Sequence, residues 1–337
     1  NSTAGLVIDS LTGAIDLATS LPGNYEVTYT PPSNWQQKGQ KLVGDSIDDW
    51  FGNSISINYS GNVVAIAAPY NDGNGLNAGH IKIYKYINGN WIQQGQDIEG
   101  SAGGALGIGT DSNDGLSLSD NGEIIAISDG SQIKIYKYDG TTWVQRGQSI
   151  SNNSYSVSLN SAGTILAVGG NNGDVTIYEY SNGTLSWSVM GSSIQVGGSE
   201  SVSLNATGNR VAIGNPNDNT NGNWAGKVSV YDWNGNSWTQ LGQNINGDIN
   251  SGAGTSVSIN NDGTRIVIGE HESGGTNPTI AKVFELSGNL WIQMGQTINS
   301  EILGVGPLCW IPVSINGDGS SFTLGSSCND GNGEYAG

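Results

Sequence analysis

Apolar and polar positions alternate along this chain in short runs, and the runs return in a fixed order. Residues 53–98 show one full round. Ser54-Ile-Ser-Ile-Asn58 alternates, Ser60-Gly61 breaks the pattern, and Val63-Val-Ala-Ile-Ala67 is apolar throughout. His80-Ile-Lys-Ile-Tyr-Lys-Tyr86 alternates again, Asn88-Gly89 breaks it, and Trp91 opens a last run that ends at Ile98. Strict alternation predicts a strand with one face buried, and an unbroken apolar run predicts a strand covered on both faces. Asn-Gly between two such runs predicts a hairpin. The round therefore reads as four antiparallel strands, with Pro69 to Gly79 as the one long loop inside it.

The same four strands recur to residue 298. Their most regular mark is a Trp, a Gly four residues on and an apolar residue seven on: Trp35/Gly39/Leu42, Trp91/Gly95/Ile98, Trp143/Gly147/Ile150, Trp187/Gly191/Ile194, Trp238/Gly242/Ile245 and Trp291/Gly295/Ile298. Successive Trp residues lie 56, 52, 44, 51 and 53 apart. Repeats of this length are those of β-propeller blades. The chain ends on two strands, Val313-Ser-Ile315 and Phe322-Thr-Leu324, and residues 24–42 read as strands three and four without one and two. The expectation is an all-β, six-bladed propeller of four-stranded antiparallel blades over 24–337, its last blade completed by the N-terminal strands. Residues 1–23 form an extension or the end of a preceding module. Seven blades, or completion by a neighbouring chain, remain as alternatives.

Composition adds little to the fold and more to the choice of partner. Only 12% of residues are charged, 53 are Gly, and the net charge is −18 with 11 Lys plus Arg. Such a surface repels nucleic acid and anionic lipid. No run of 18 apolar residues is present to cross a membrane as a helix. The partners left are cations and neutral polar surfaces, and a head-to-tail contact between copies follows if the incomplete blade is filled in trans.

Phe51-Gly52 with Ala67-Ala-Pro69, and Gly214-Asn-Pro216 before Gly226, resemble FG-GAP repeats, the propeller units of integrin α subunits and many secreted bacterial proteins. The resemblance covers roughly residues 35–337. The calcium loop of that family is not matched: Asn58-Tyr-Ser-Gly61 and Asn205-Ala-Thr-Gly208 lack its carboxylates. Residues 5–30 resemble the end of an immunoglobulin-like repeat of bacterial surface adhesins. Together these resemblances imply an extracellular, non-catalytic module that recognises glycan, matrix or protein. The alternatives are a subunit of a surface fibre built by strand donation, and a polysaccharide-active enzyme.

Strand order puts the long loops on one face and the short turns on the other, and binding is expected on the long-loop face. The candidates there are Trp50, Asp48, Asp49, Asp72, Trp224 and His271. Asp45, Asp48 and Asp49 are the nearest approach to a Ca²⁺ site, although they lack the spacing of a ligand loop. No catalytic constellation is legible: the two His residues, His80 and His271, are far apart, and there is no nucleophile elbow or phosphate loop. Cys309 and Cys328 flank the last hairpin almost symmetrically and are expected to form a disulfide.

Overall fold

The structure is a computed structural model that describes residues 37–108, 115–151, 156–170, 173–198, 201–270, 280–299 and 312–325. The chain divides into two compact units, Asn1–Lys38 and Gly39–Gly337. Only Gln37 and Lys38 of the first unit are among the described residues. The strand expected at 24–30, the Cys309–Cys328 pair and His271 all lie outside the described residues.

The second unit is a β-propeller. Its described residues form six antiparallel sheets that follow one another in sequence. The first sheet is ordered Ile55–Ile57, Val63–Ala68, His80–Ile87, Asn90–Gln93, with Ile98–Glu99 pairing back onto the third strand. The second, third and fourth sheets repeat this plan, the fifth has four strands, and the sixth is described as Val313–Ile315 paired with Phe322–Leu324. Each sheet packs face to face on the next. Ile81 and Ile83 of the first sheet meet Leu116, Ile125, Ile127 and Trp143 of the second, and four further clusters of the same kind join sheets two to six.

The outer run from Trp91 to Ile98, expected as one strand, is two short pieces in the first four sheets. The break falls at the repeat's Gly, where φ is +77° at Gly95. The same Gly makes room for the neighbour's Trp. A Cβ on Gly95 would stand 2.8 Å from Cδ1 of Trp143, and one on Gly147 would stand 2.8 Å from Cδ1 of Trp187. The pairing of Trp and Gly in the sequence thus reflects contact across a sheet boundary, not within one repeat. Gly295 has φ +65° but nothing within 4 Å of its Cβ position. Gly95→Ala is therefore expected to cost about 2–4 kcal/mol, from the left-handed backbone and the overpacked Trp together. Gly295→Ala should cost only about 1–2 kcal/mol, from the backbone alone. Urea midpoints of the two variants measure the difference.

Three ladders bind sheet to sheet. On the outside, the Gln after the repeat's Gly brackets the next Trp. Gln96 Nε2 donates to Trp143 O and its Oε1 accepts from Trp143 N. Gln40 makes the same two bonds with Trp91, so Gly39-Gln40 stands to the first sheet as Gly95-Gln96 stands to the second. Near the axis, eight backbone N–H groups donate to serine hydroxyls of the preceding sheet at 3.0–3.2 Å, among them Leu118 to Ser56, Leu204 to Ser158 and Ile315 to Ser258. At the first hairpin turns, Asp120, Ser161, Ala206 and Asn261 each donate to a carbonyl of the next turn. Among the described residues, the serine ladder shows no step from the sixth sheet to the first. Ile55 and Ile57 are 63% and 58% exposed, while Leu118, Leu159, Leu204, Ile259 and Ile315, which correspond to Ile57, are at most 9% exposed. The turn of the sixth sheet nevertheless reaches the first, because a Cβ on Gly317 would lie 2.9 Å from the Tyr59 ring.

Candidate functional site

The long-loop face is built from loops that brace themselves. In the first sheet Asp72 Oδ1 accepts from Asn77 N at 2.7 Å, and Asn77 O accepts from Ala105 N. In the fourth sheet Asn219 Oδ1 accepts from Trp224 N at 2.7 Å, and Trp224 O accepts from Gly252 N. Asn77 and Trp224 hold the same position in the two loops, and both have positive φ, +49° and +51°. Asp72 is thus a loop brace, and Trp224 stands half exposed over its loop. Trp50 is exposed with its ring edge-on to Tyr70, centroids 4.7 Å apart.

The acidic trio that is the nearest approach to a Ca²⁺ site in the sequence does not converge. Asp49 is buried and its Oδ2 accepts from Asn71 Nδ2 at 2.8 Å. Asp48, at φ +74°, is exposed. Asp45 turns instead to Lys82, whose Nζ donates to both its oxygens at 2.7 Å. That contact holds the Asp45 carboxyl below its ordinary range. The backbone reversal at Asp48 sends neighbours in sequence to different partners, so a cluster that looks single in the sequence is split in space.

A groove of about 800 Å³ opens on the other face, among the short turns of the first three sheets. Lys85, Lys137, Glu123, Tyr138, Arg146 and Tyr180 line it. Third strands deliver Lys85, Lys137 and both tyrosines, with the lysines exposed near the turn ends. Arg146 lies where the other repeats carry Lys38, Gln94, Met190, Leu241 and Met294. Its guanidinium sits 3.8 Å over the Tyr180 ring and donates to Gly163 O, which fixes its plane against the groove wall. Asp139, beside the groove, is held below the ordinary carboxylate range by backbone N–H groups of Thr142 and Thr141. The arrangement presents three cations, two carboxylates and the Tyr138 ring to a ligand of small-molecule size. Sequence reasoning missed it because these residues are far apart in the chain. The one signal was Arg146 itself, which shares that repeat position with one other cation, Lys38.

By sequence, the chain matches no protein-family model and no curated protein. Solved structures share its fold. Hydrazine synthase of Kuenenia stuttgartiensis superposes with TM-score 0.56 at 8% identity, over 86% of this chain and 78% of that one. A protein of unknown function from Desulfotomaculum acetoxidans gives 0.58 at 10% identity, over 82% and 79%. A candidate 6-phosphogluconolactonase from Bacteroides uniformis gives 0.55 at 11% identity, over 83% and 79%. These likenesses show the propeller fold, and nothing in them supports the narrower FG-GAP assignment. They also correct the functional expectation. Two of the three structures are named for enzymes, and none for adhesion, fibre assembly or polysaccharide cleavage. The adhesion module and its two alternatives are therefore withdrawn.

Proposed function

We propose that this propeller binds a small hydroxylated anion, of the sugar-phosphate or sugar-acid class, in the groove among its first three sheets. The observation that carries this is a concentration of charge. The whole chain has 11 Lys plus Arg, and three of them, Lys85, Lys137 and Arg146, meet at one groove. Against a net charge of −18 this is the local reversal of sign that an anion needs. Glu123 and Asp139 supply acceptors for hydroxyl groups, and the Tyr138 ring supplies apolar surface for a sugar ring. The sugar-phosphate half of the class also agrees with the name of the Bacteroides uniformis structure.

Isothermal titration with 6-phosphogluconate, glucuronate and inorganic phosphate tests the reading. Lys85 and Lys137 are exposed, so the double variant Lys85→Glu, Lys137→Glu leaves the packing alone. It should weaken the bound anion at least about tenfold, as loss of close charge pairs does. Absence of binding by all three probes, or equal affinity in the double variant, overturns the proposal.

A further inference from the structure

We infer that the first sheet carries a divalent transition-metal site formed by His80, Asp45 and Asp97. One imidazole nitrogen of His80 and one oxygen of each carboxylate lie within 4.8 Å of one another. His80 opens the third strand, opposite Ala68 and Glu99. Asp97 precedes the short outer piece Ile98–Glu99 that pairs with that strand, and Asp45 arrives from the segment before the sheet. Two elements of the sheet and one loop thus meet at a single point.

Charge alone does not mark this as a site. The third strand carries a lysine at the same position in three sheets, Lys82, Lys134 and Lys282, and each faces carboxylate. Lys282 even faces two, Glu270 at 2.9 Å and Asp248 at 3.8 Å, much as Lys82 faces Asp45 at 2.7 Å and Asp97 at 3.9 Å. Neutralising a half-hidden lysine explains the acids in all three. It does not explain His80. This residue is 2% exposed, and its Nε2 is buried without a hydrogen-bond partner. An unpaired ring nitrogen in the interior costs desolvation energy. A metal ion is one of the few species that satisfies an imidazole nitrogen and two carboxylates at once.

The donor set selects the ion. Ca²⁺ and Mg²⁺ prefer all-oxygen shells of six or more, whereas one imidazole with two carboxylates suits Zn²⁺ and its neighbours. Ligands at about 2.0–2.1 Å from Zn²⁺ stand about 3.4 Å apart, so separations of up to 4.8 Å have to contract by up to about 1.4 Å. The two Asp side chains, 52% and 27% exposed, have the freedom to supply that. Asp45 gives one oxygen to the ion and keeps the other on Lys82, which then orients the ligand from behind. Three protein ligands leave the fourth position to water.

The test uses the full chain with Zn²⁺ by isothermal titration, and with Co²⁺ by visible absorption. One ion per chain is expected, with a Co²⁺ spectrum that lacks a thiolate charge-transfer band. His80→Ala and Asp97→Asn should each weaken the ion at least 100-fold. Asp97 is partly exposed, so Asp97→Asn stays informative if His80→Ala fails to fold, as circular dichroism will show. No stoichiometric ion, undiminished binding in folded variants, or a thiolate band that places the ion on cysteine overturns the inference.

Discussion

Trp143→Ala is expected to cost about 3–5 kcal/mol, the range for deleting a buried aromatic side chain, and to loosen the joint between the first two sheets. Trp143 is 3% exposed and stands in the core shared by those sheets, its ring 5.3 Å from Tyr138. Its Nε1 donates to Gln94 O at 2.7 Å across the boundary. Removing the indole therefore opens a cavity and also leaves a buried carbonyl without its donor. Trp143→Phe separates the two effects. It keeps most of the packing and loses the bond, so roughly 1–2 kcal/mol of the cost should remain. Urea unfolding followed by circular dichroism is the right measurement, because fluorescence is shared among ten Trp residues. A cost below about 1 kcal/mol for the Ala variant would mean that the repeated Trp is not what locks sheet to sheet.

The same Trp explains why the fold was legible in the sequence and the candidate sites were not. Trp143 needs Gly95 beneath it and Gln96 beside it, and the next boundary makes the same demand of Gly147 and Gln148. A steric requirement repeated at successive boundaries leaves a periodic mark. The serine ladder left a mark too, the alternating Val-Ser-Leu of the innermost strands, but alternation says only that one face is buried. It does not say that Ser156 and Ser158 accept bonds from the next sheet. Function depends on departures from the repeat. His80 stands where the second and third sheets have Gln132 and Asp174, and Arg146 stands where others have Lys, Gln, Met or Leu. Such exceptions are visible in an alignment of the repeats, but what they meet is set by pairing across strands. The break at Gly95 shifts the pairing of the outer run by two residues, from Gln93 opposite Tyr84 to Ile98 opposite Ile81, and leaves unchanged which side each later residue faces. The acidic trio shows the opposite: Asp45 and Asp49 are close in sequence, yet they bond to Lys82 and Asn71 respectively.

Lys282→Met is expected to be the other large loss, and its dependence on pH identifies the cause. Glu270 is 2% exposed at the end of the fifth sheet's second strand, and both its oxygens lie 2.9 Å from Lys282 Nζ. Burial pushes the Glu270 carboxyl above its ordinary 4.5, and the nearby ammonium pulls it back without cancelling the effect. A carboxyl raised in the folded state stabilises the fold most below its unfolded value. That contribution is lost as pH rises through the folded value. Without Lys282 the carboxylate is buried and unpaired at neutral pH, which costs about 3–5 kcal/mol. Lowering the pH to about 4.5 protonates Glu270 more readily in the folded chain, so the deficit relative to wild type should shrink. The double variant Lys282→Met, Glu270→Gln should recover most of the stability at pH 7, since no charge is left buried. Asp45 and Asp262, held low by Lys82 and by the Thr264 hydroxyl, act in the other direction and lose their contribution only below their ordinary 3.8. Unfolding at pH 7 and at 4.5 therefore stays clear of them. A deficit that is the same at both pH values would show that Lys282 stabilises the sheet by packing its alkyl chain and not by holding a buried charge.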